Sequence, residues 1–389
     1  MSKILGIDIA RFTNVAALES RGSKPFYFSN TPQGFQALLS WSEMQGVTGY
    51  CLEPTGHYHR PLATWLSRKG KPVYLVPCNA VKNESASLGR THLKSDEFDA
   101  RMLANIGADP RKIIRFQEQP DLYLHLRQIS ELYRRVTVER QTAFNRLHRA
   151  IDLTWPELKN ILKLKQVGAI RFLSQFPSPA SVLQLSEEAF CESLKGVFGY
   201  RGTPERKAAL YASAKVQAEN DSQLMTGGEV AALVRLIQRT REQLLELKAQ
   251  MQAAILRIDY GHLLLDIPAM GEVCISSILG ELGDLRGYSH KAQVLKMAGL
   301  NLIVKSSGKK IGRARISRQG RTQVRFLLFR AAVNCARKNS PLYPYFASKG
   351  TGNKAITACS RKLLRIAFAV ARDGQPFCAE RLRTAERSV

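Results

Sequence analysis

Asp96, Glu97 and Asp99 fall within one four-residue stretch of "THLKSDEFDARML", in a chain with 58 Lys and Arg against 32 Asp and Glu and a formal charge of +26. Asp96 and Asp99 are three apart on a helix expected to begin after Ser95, so their carboxylates share a face and Glu97 points elsewhere. Capping by Ser95 and favourable helix-dipole contacts would by themselves account for acids there. Two more acids change that weighing. Asp8 lies inside the apolar strand "ILGIDIA", where a carboxylate requires a compensating cation or donors. Glu53 ends the strand-like "GYCLE", and open sheets place their sites at such strand ends. One acid in the first strand, one ending a later strand and two on a following helix describe a ribonuclease-H-like metal site. Its oxygen ligands suit Mg²⁺ and substrate phosphates.

A second group stands far along the chain, in "VKSSGKKIGRARISRQGRTQVRFLLFRAA". Ser306 and Ser307 precede Gly308, then come Lys309, Lys310, Arg313, Arg315 and Arg318. A serine hydroxyl needs help losing its proton before it attacks. Clustered cations would position a phosphodiester and stabilise developing charge. Beyond Gly320, Arg321 and Arg325 fall four apart on one helix face, with Leu327, Leu328 and Ala331 available to pack inward. A serine beside glycine is more commonly turn chemistry, and the residues alone do not promote it to a nucleophile.

The elements that must carry these groups divide the chain in three. Over residues 1–120, strand-like "KILGIDIA", "NVAALES", "KPFYFSN", "GYCLEP" and "KPVYLVP" alternate with helical "TPQGFQALLSWSEMQ" and "HRPLATWLSRKG", the pattern of an α/β domain with a central sheet. Residues 121–260 carry two long apolar stripes. The first runs through Ile129, Leu132, Val136, Ala143, Leu147 and Ala150. The second is a heptad series of Val230, Leu233, Ile237, Thr240, Leu244, Leu247, Met251, Ala254 and Ile258. Together they predict an antiparallel helical hairpin, either part of a bundle or a coiled-coil arm for oligomerisation. The helical segment between them, about 157–226, carries no motif. Residues 261–389 open with "IPAMGEVCISSILGELGD", two apolar helices around a glycine turn. That turn either offers N–H groups to a phosphate, as in a helix-hairpin-helix, or simply packs.

Charge and hydropathy narrow the partners. A pI near 10.0 calls for a polyanion, nucleic acid or an anionic membrane surface. From residue 286 onward, 23 Lys and Arg meet three acids, so the excess lies largely in the last quarter. No apolar run reaches the 18 or so residues that span a bilayer, and Asp8 and Arg11 interrupt any signal-peptide core. Seven dispersed cysteines without a CxxC pair fit reduced thiols in the cytoplasm. His57 and His59 lack further ligands nearby for a zinc shell.

Taken together, "GIDIA", "EPTGHY", "LKSDEFDARMLA", "IPAMGEVCISSILGELGD", "MAGLNLIVKSSGKK" and "ISRQGRTQVRFLL" resemble, in order and spacing, the DEDD transposases of bacterial insertion sequences, the bridge-RNA-guided recombinases. The resemblance covers nearly the whole chain. It implies a RuvC-like N-terminal domain, an antiparallel coiled-coil arm and a mainly helical C-terminal transposase domain. The family's four acids fall on Asp8, Glu53, Asp96 and Asp99, and its nucleophilic serine on Ser307. Gly308 is followed by Lys309 where the family often has a second glycine. The resemblance further implies cleavage and rejoining of donor and target double-stranded DNA through a 5′-phosphoserine link, with Mg²⁺ as cofactor. A guide RNA would pair with both DNAs. The active sites would be shared between subunits of a homotetramer at the bacterial nucleoid, with no membrane. Two other functions stay open: a hydrolytic nuclease of the junction-resolvase type, needing the four acids but no serine, and a nucleic-acid-binding scaffold with a degenerate site.

Overall fold

The computed structural model describes residues 3–20, 22–54, 57–87, 95–118, 120–198, 202–220, 227–304, 306–307, 310–311 and 314–380. The chain separates into two compact units, Met1–Gln119 and Pro120–Val389.

The first unit is built on a six-stranded sheet. Its elements are β1 (Ile4–Asp8), β2 (Thr13–Leu18), β3 (Phe26–Ser29), α1 (Pro32–Met44), β4 (Gly49–Leu52), α2 (His59–Arg68), β5 (Val73–Leu75), α3 (Cys78–Ser87), α4 (Asp96–Gly107) and β6 (Ile114–Arg115). The strand order is β3-β2-β1-β4-β5-β6. β1, β2 and β3 pair antiparallel, β4 and β5 join them in parallel, and β6 closes the edge antiparallel.

Alternation along β1 sorts its side chains between the two faces of the sheet. Leu5 and Ile7 are fully buried in a core shared with Phe35, Leu38, Leu62 and Leu66 of α1 and α2. Gly6 and Asp8 fall on the other face, beneath α4. A Cβ at Gly6 would lie 2.0 Å from the Ala100 carbonyl oxygen and 2.3 Å from the Ala104 nitrogen. Only glycine lets the helix come this close. Gly107, at the far end of α4, abuts Ile4 and Cys51 just as tightly. Since α4 starts near the end of β1 and finishes near its beginning, it runs antiparallel to the strand. Its first turn therefore lies at the end of the strand that carries Asp8.

The second unit is helical. It comprises α5 (Asp121–Thr154), α6 (Leu158–Ile161), α7 (Val167–Gln175), α8 (Pro179–Leu183), α9 (Glu187–Ser193), α10 (Pro204–Asn220), α11 (Gly228–Leu256), α12 (Gly261–Leu265), α13 (Glu272–Leu282) and α14 (Lys291–Met297). Four two-residue strands follow: β7 (Leu302–Ile303), β8 (Ser306–Ser307), β9 (Lys310–Ile311) and β10 (Arg315–Ile316). The chain then enters α15 (Thr322–Val333), α16 (Tyr343–Ser348) and α17 (Gly352–Asp373).

α5 and α11 form an antiparallel pair. Tyr123 and Leu126, early in α5, share a core with Ala254 and Ile255, late in α11. Ile129 and Val136 meet Leu244, Leu247 and Met251. Ala143, Leu147 and Ala150 meet Val230, Leu233 and Ile237. All nine heptad positions from Val230 to Ile258 are buried. Full burial of each aliphatic side chain contributes roughly 1.5–3 kcal/mol, which is why this pair organises the unit.

The α5 stripe differs from the sequence reading at one position. Leu132 is exposed, and Tyr133 packs against the seam instead. Heptad spacing back from Val136 selects 133 and 129, so an apolar residue at 132 falls outside the seam.

Residues 157–226 are helical where described, as expected. The described part of this segment closes a core around the far end of the helix pair, with Trp155, Phe172 and Phe190 at its centre. At the near end one core joins Tyr123 and Leu126 to α13, α15 and α17. α13 crosses α5 on small residues. Ser276 Oγ lies 2.8 Å from Ser130 Oγ, and a Cβ at Gly280 would strike the Arg127 backbone.

Candidate active site

Asp8 and Glu53 emerge side by side, because β1 and β4 are parallel neighbours with Ile7 opposite Leu52. α4 brings Asp96 and Asp99 to the same strand end. Its start is fixed by Ser95, whose hydroxyl accepts a 3.2 Å hydrogen bond from the Phe98 N–H. Glu97 is committed elsewhere, accepting from the Tyr27 hydroxyl at 2.5 Å. On the same helix, Arg101 donates to the carbonyls of Leu18 and Ser23, tying α4 to the β2–β3 turn.

The four carboxylates interact electrostatically. Asp8 is pushed up to about 6, first by burial and then by the negative charges of Asp99, Asp96 and Glu53. A hydrogen bond from the Ile9 backbone opposes the shift without cancelling it. Cys78, at the start of α3, donates its thiol to Glu53, and burial and the Glu53 charge hold that thiol protonated.

Two asparagines fasten the loops behind Asp8 and Glu53. Asn14 is fully buried and accepts from the Ala10 N–H at 2.9 Å. Asn30 donates to the Ala10 carbonyl at 3.2 Å and the Tyr58 carbonyl at 3.3 Å, bridging the two loops. Sequence reasoning missed Tyr27, Asn14, Asn30, Arg101 and Cys78. Asn14, polar amid the apolar "TNVAAL", was a signal that could have been used.

Among the described residues, no three His, Cys, Asp or Glu side chains form a ready-made metal cage. The chemistry of the donor set nevertheless suits a hard divalent cation. It offers four carboxylates, and the ionised form of Asp8 is opposed by the other three until positive charge arrives.

The serine lies in the second unit. β7 pairs with β10 and β8 with β9, giving two short antiparallel ribbons between α14 and α15. Ser306 pairs with Ile311 and Ser307 with Lys310. Gly308, Lys309 and Arg313 lie outside the described residues, as do the side chains of Ser306, Ser307 and Lys310. The ribbon's base is firm. Ser317 and Arg318 donate their N–H groups to the carbonyls of Asn301 and Gly299, and Arg321 donates to Met297. Gly320, at φ 150°, leaves no room for a Cβ against the Met297 carbonyl.

The candidate nucleic-acid contacts divide accordingly. Arg315 and Arg318 are exposed. Arg321 caps α15 rather than lying on its face, and it pairs with Glu281 at 3.5 Å. Arg325 is structural in part, donating to the Ala298 carbonyl at 3.0 Å and to Thr322 at 3.3 Å. The turn before α13 carries Glu272 in the first turn of the helix. Glu272 accepts from its own backbone N–H and pairs with Lys248 at 2.9 Å, which favours the packing role.

Comparison with known proteins places the chain among transposases. A transposase model of the DEDD, IS110 type matches residues 5–156, and a model described as transposase IS116/IS110/IS902 family matches residues 261–347. An uncharacterized 44.8 kDa protein of insertion element IS116 from Streptomyces clavuligerus is 23% identical over 352 residues, covering 87% of this chain and 86% of its own. The pilin gene-inverting protein of Moraxella bovis is 24% identical over 389 residues, covering 97% of this chain and 98% of its own. DEDD transposases use divalent metal, in keeping with the four acids. No described helix is long and apolar enough to cross a membrane. The chain carries the transposase domains of the IS110/IS116/IS902 family and is a DNA transposase or recombinase.

Proposed function

We propose that this transposase is an RNA-guided DNA recombinase that cuts and rejoins donor and target DNA through Ser307. The observation that carries the reading is the convergence of Asp99, Asp96 and Glu53 on Asp8, in a chain with transposase domains at both ends. The strand order, with three antiparallel strands and two added in parallel, supports a RuvC-like reading of the first unit.

In the proposed reaction the Ser307 oxygen attacks the phosphorus of a DNA phosphodiester, and the hydroxyl proton passes to the departing 3′ oxygen. The bond to the 3′ oxygen breaks, leaving a free 3′-OH and a 5′-phosphoserine link. A free 3′-OH on the partner strand attacks that link, restores the phosphodiester and returns the proton to serine. Asp8, Glu53, Asp96 and Asp99 would hold Mg²⁺, which neutralises charge on the phosphate when bound. Arg315 and Arg318, together with Lys309, Lys310 and Arg313, would orient the DNA backbone, with smaller shares from Arg321 and Arg325. A guide RNA would supply the sequence specificity, and subunits of a homotetramer would share the acids and the serine.

The test is a denaturing gel for covalent protein–DNA adducts, using labelled element-end and target DNA, the flanking transcript and Mg²⁺. Wild type should form an adduct that Ser307→Ala abolishes and Ser306→Ala retains. Cleavage without adduct that survives both substitutions would establish a hydrolytic nuclease instead. Binding without cleavage would leave a scaffold.

A further inference from the structure

The seam between α5 and α11 is interrupted at its middle. Heptad positions on α5 run Val136, Arg140, Ala143, and those on α11 run Ile237, Thr240, Leu244. On one side of this point Val136 packs with Leu244, and on the other Ala143 packs with Ile237, in separate cores. That spacing sets Arg140 at the level of Thr240. A guanidinium thus occupies a position that elsewhere along the pair is apolar. Thr240 carries no charge to compensate it, and its hydroxyl proton is committed to the Leu236 and Ile237 carbonyls.

Beside this break lies a groove of about 1050 Å³ between α5, α7, α11 and α15. Five cations line it: Arg140, Lys165, Arg171, Arg241 and Arg330, against the single acid Glu242. None of the five forms an ion pair among the described residues. Neighbouring cations do find acids, as Arg134 and Arg135 pair with Glu131 and Lys248 pairs with Glu272. The groove also has an apolar lining. Val138, Val167 and Leu245 are exposed large hydrophobics, and Phe144 lies among them half-buried.

We infer that this groove is a binding site for an unpaired stretch of nucleic acid, separate from the basic ribbon around Ser307. The inference rests on the proposed function only in taking a polynucleotide as partner. Unpaired phosphate and cation charge complement each other, and the apolar lining decides between strand types. A duplex would present phosphates to the cations while leaving Val138, Val167, Leu245 and Phe144 without bases to cover them. A single strand splays its bases onto such surfaces as its backbone follows the cations. The volume accommodates more than one base. A second copy of a chain carrying +26 is poorly matched to five unpaired cations.

The test uses the full chain with fluorescein-labelled 12-nucleotide oligo-uridine, oligo-thymidine and a 12-base-pair duplex, read by anisotropy at several salt concentrations. The variants are Arg140→Gln/Arg241→Gln and, at an exposed position that leaves the cores intact, Leu245→Ser. Single-strand affinity should fall at least tenfold in the double variant and several-fold in Leu245→Ser, with duplex affinity unchanged. The salt slope for single strands should drop by about 1.4 log units, roughly 0.7 for each lost phosphate contact. Loss in the uridine arm assigns the site to RNA, and loss in the thymidine arm alone to a DNA strand. Thiouracil crosslinks should map to peptides within 137–144 and 237–245. Equal losses for duplex and single strand would overturn the inference, as would crosslinks confined to 286–330. So would an altered sedimentation mass with unchanged single-strand affinity, since the occupant would then be a second copy. Adduct formation at Ser307 is scored on the same preparations, so failure of the cleavage chemistry and failure of the groove read out separately.

Discussion

The two units of this molecule hold their proposed reactive groups in opposite ways. Asp8 and Glu53 end adjacent strands of a six-stranded sheet, with a helix pressed onto glycine above them. Ser307 ends a two-residue strand in a two-stranded ribbon. The acids therefore inherit their geometry from a core, and any change that moves α4 moves the site. The serine sits on a two-residue ladder between β8 and β9. Damage to the first region should reach cleavage through packing. Damage to the second should stay local.

The largest effect that would sharpen this contrast is at the acids. Asp8→Asn or Asp99→Asn should lower DNA cleavage by more than a thousandfold while nucleic-acid affinity stays within about twofold, because the phosphate-binding cations are elsewhere. Normal strand-transfer rates in either variant would break the comparison. Next comes Gly6→Ala, whose methyl would strike the α4 backbone. It should cost roughly 1–3 kcal/mol in denaturant unfolding and abolish cleavage. Gly228→Ala, with nothing near its added methyl, should change stability by less than about 1 kcal/mol.

In the basic region the contrast appears between β10 and the helix that follows it. Arg325→Ala should lower the melting temperature by a few degrees, since it strips a donor from the Ala298 carbonyl. Arg315→Ala should leave melting unchanged and reduce the duplex salt slope by about 0.9 log units. If both variants behaved alike, the division into structural and phosphate-facing arginines would fail.

The smallest effect is a pH dependence with a definite sign. Below about pH 4 the Asp8 carboxyl is protonated in folded and unfolded chains and contributes no difference. As pH rises from about 4 to 6, the unfolded chain releases the proton first, and the folded state loses stability. Above 6 that loss is complete. In chelator, Asp8→Asn should therefore melt higher than wild type at pH 7.5 and equal to it below pH 4. The reverse order at pH 7.5 would mean that ionised Asp8 is already compensated.

How much was legible in the sequence follows the same division. The sheet region could be read because strand alternation and heptad spacing are local signals that burial then enforces. All nine seam positions from Val230 to Ile258 followed from spacing alone. Leu132 misled because hydrophobicity without register cannot separate 132 from 133. The grouping of Asp96 and Asp99 with Asp8 needed one fact that no periodicity carries, the contact of α4 on Gly6. The Asn30 bridge between loops was hidden for the same reason, since its partners are backbone carbonyls of no particular sequence. The turn before α13 could be read as phosphate-binding or as packing, and Glu272 at the helix start, paired with Lys248, weighs toward packing.

The central claim is that four specific carboxylates, rather than a general acidic patch, hold a cation. Calorimetric titration of Mn²⁺ into wild type, Asp8→Asn and Glu97→Gln tests it most directly. Glu97 is the control, because it sits in the same helical turn yet is engaged by Tyr27. The account predicts that Asp8→Asn weakens Mn²⁺ binding at least tenfold while Glu97→Gln matches wild type. Equal losses in the two variants, or wild-type binding by Asp8→Asn, would contradict it.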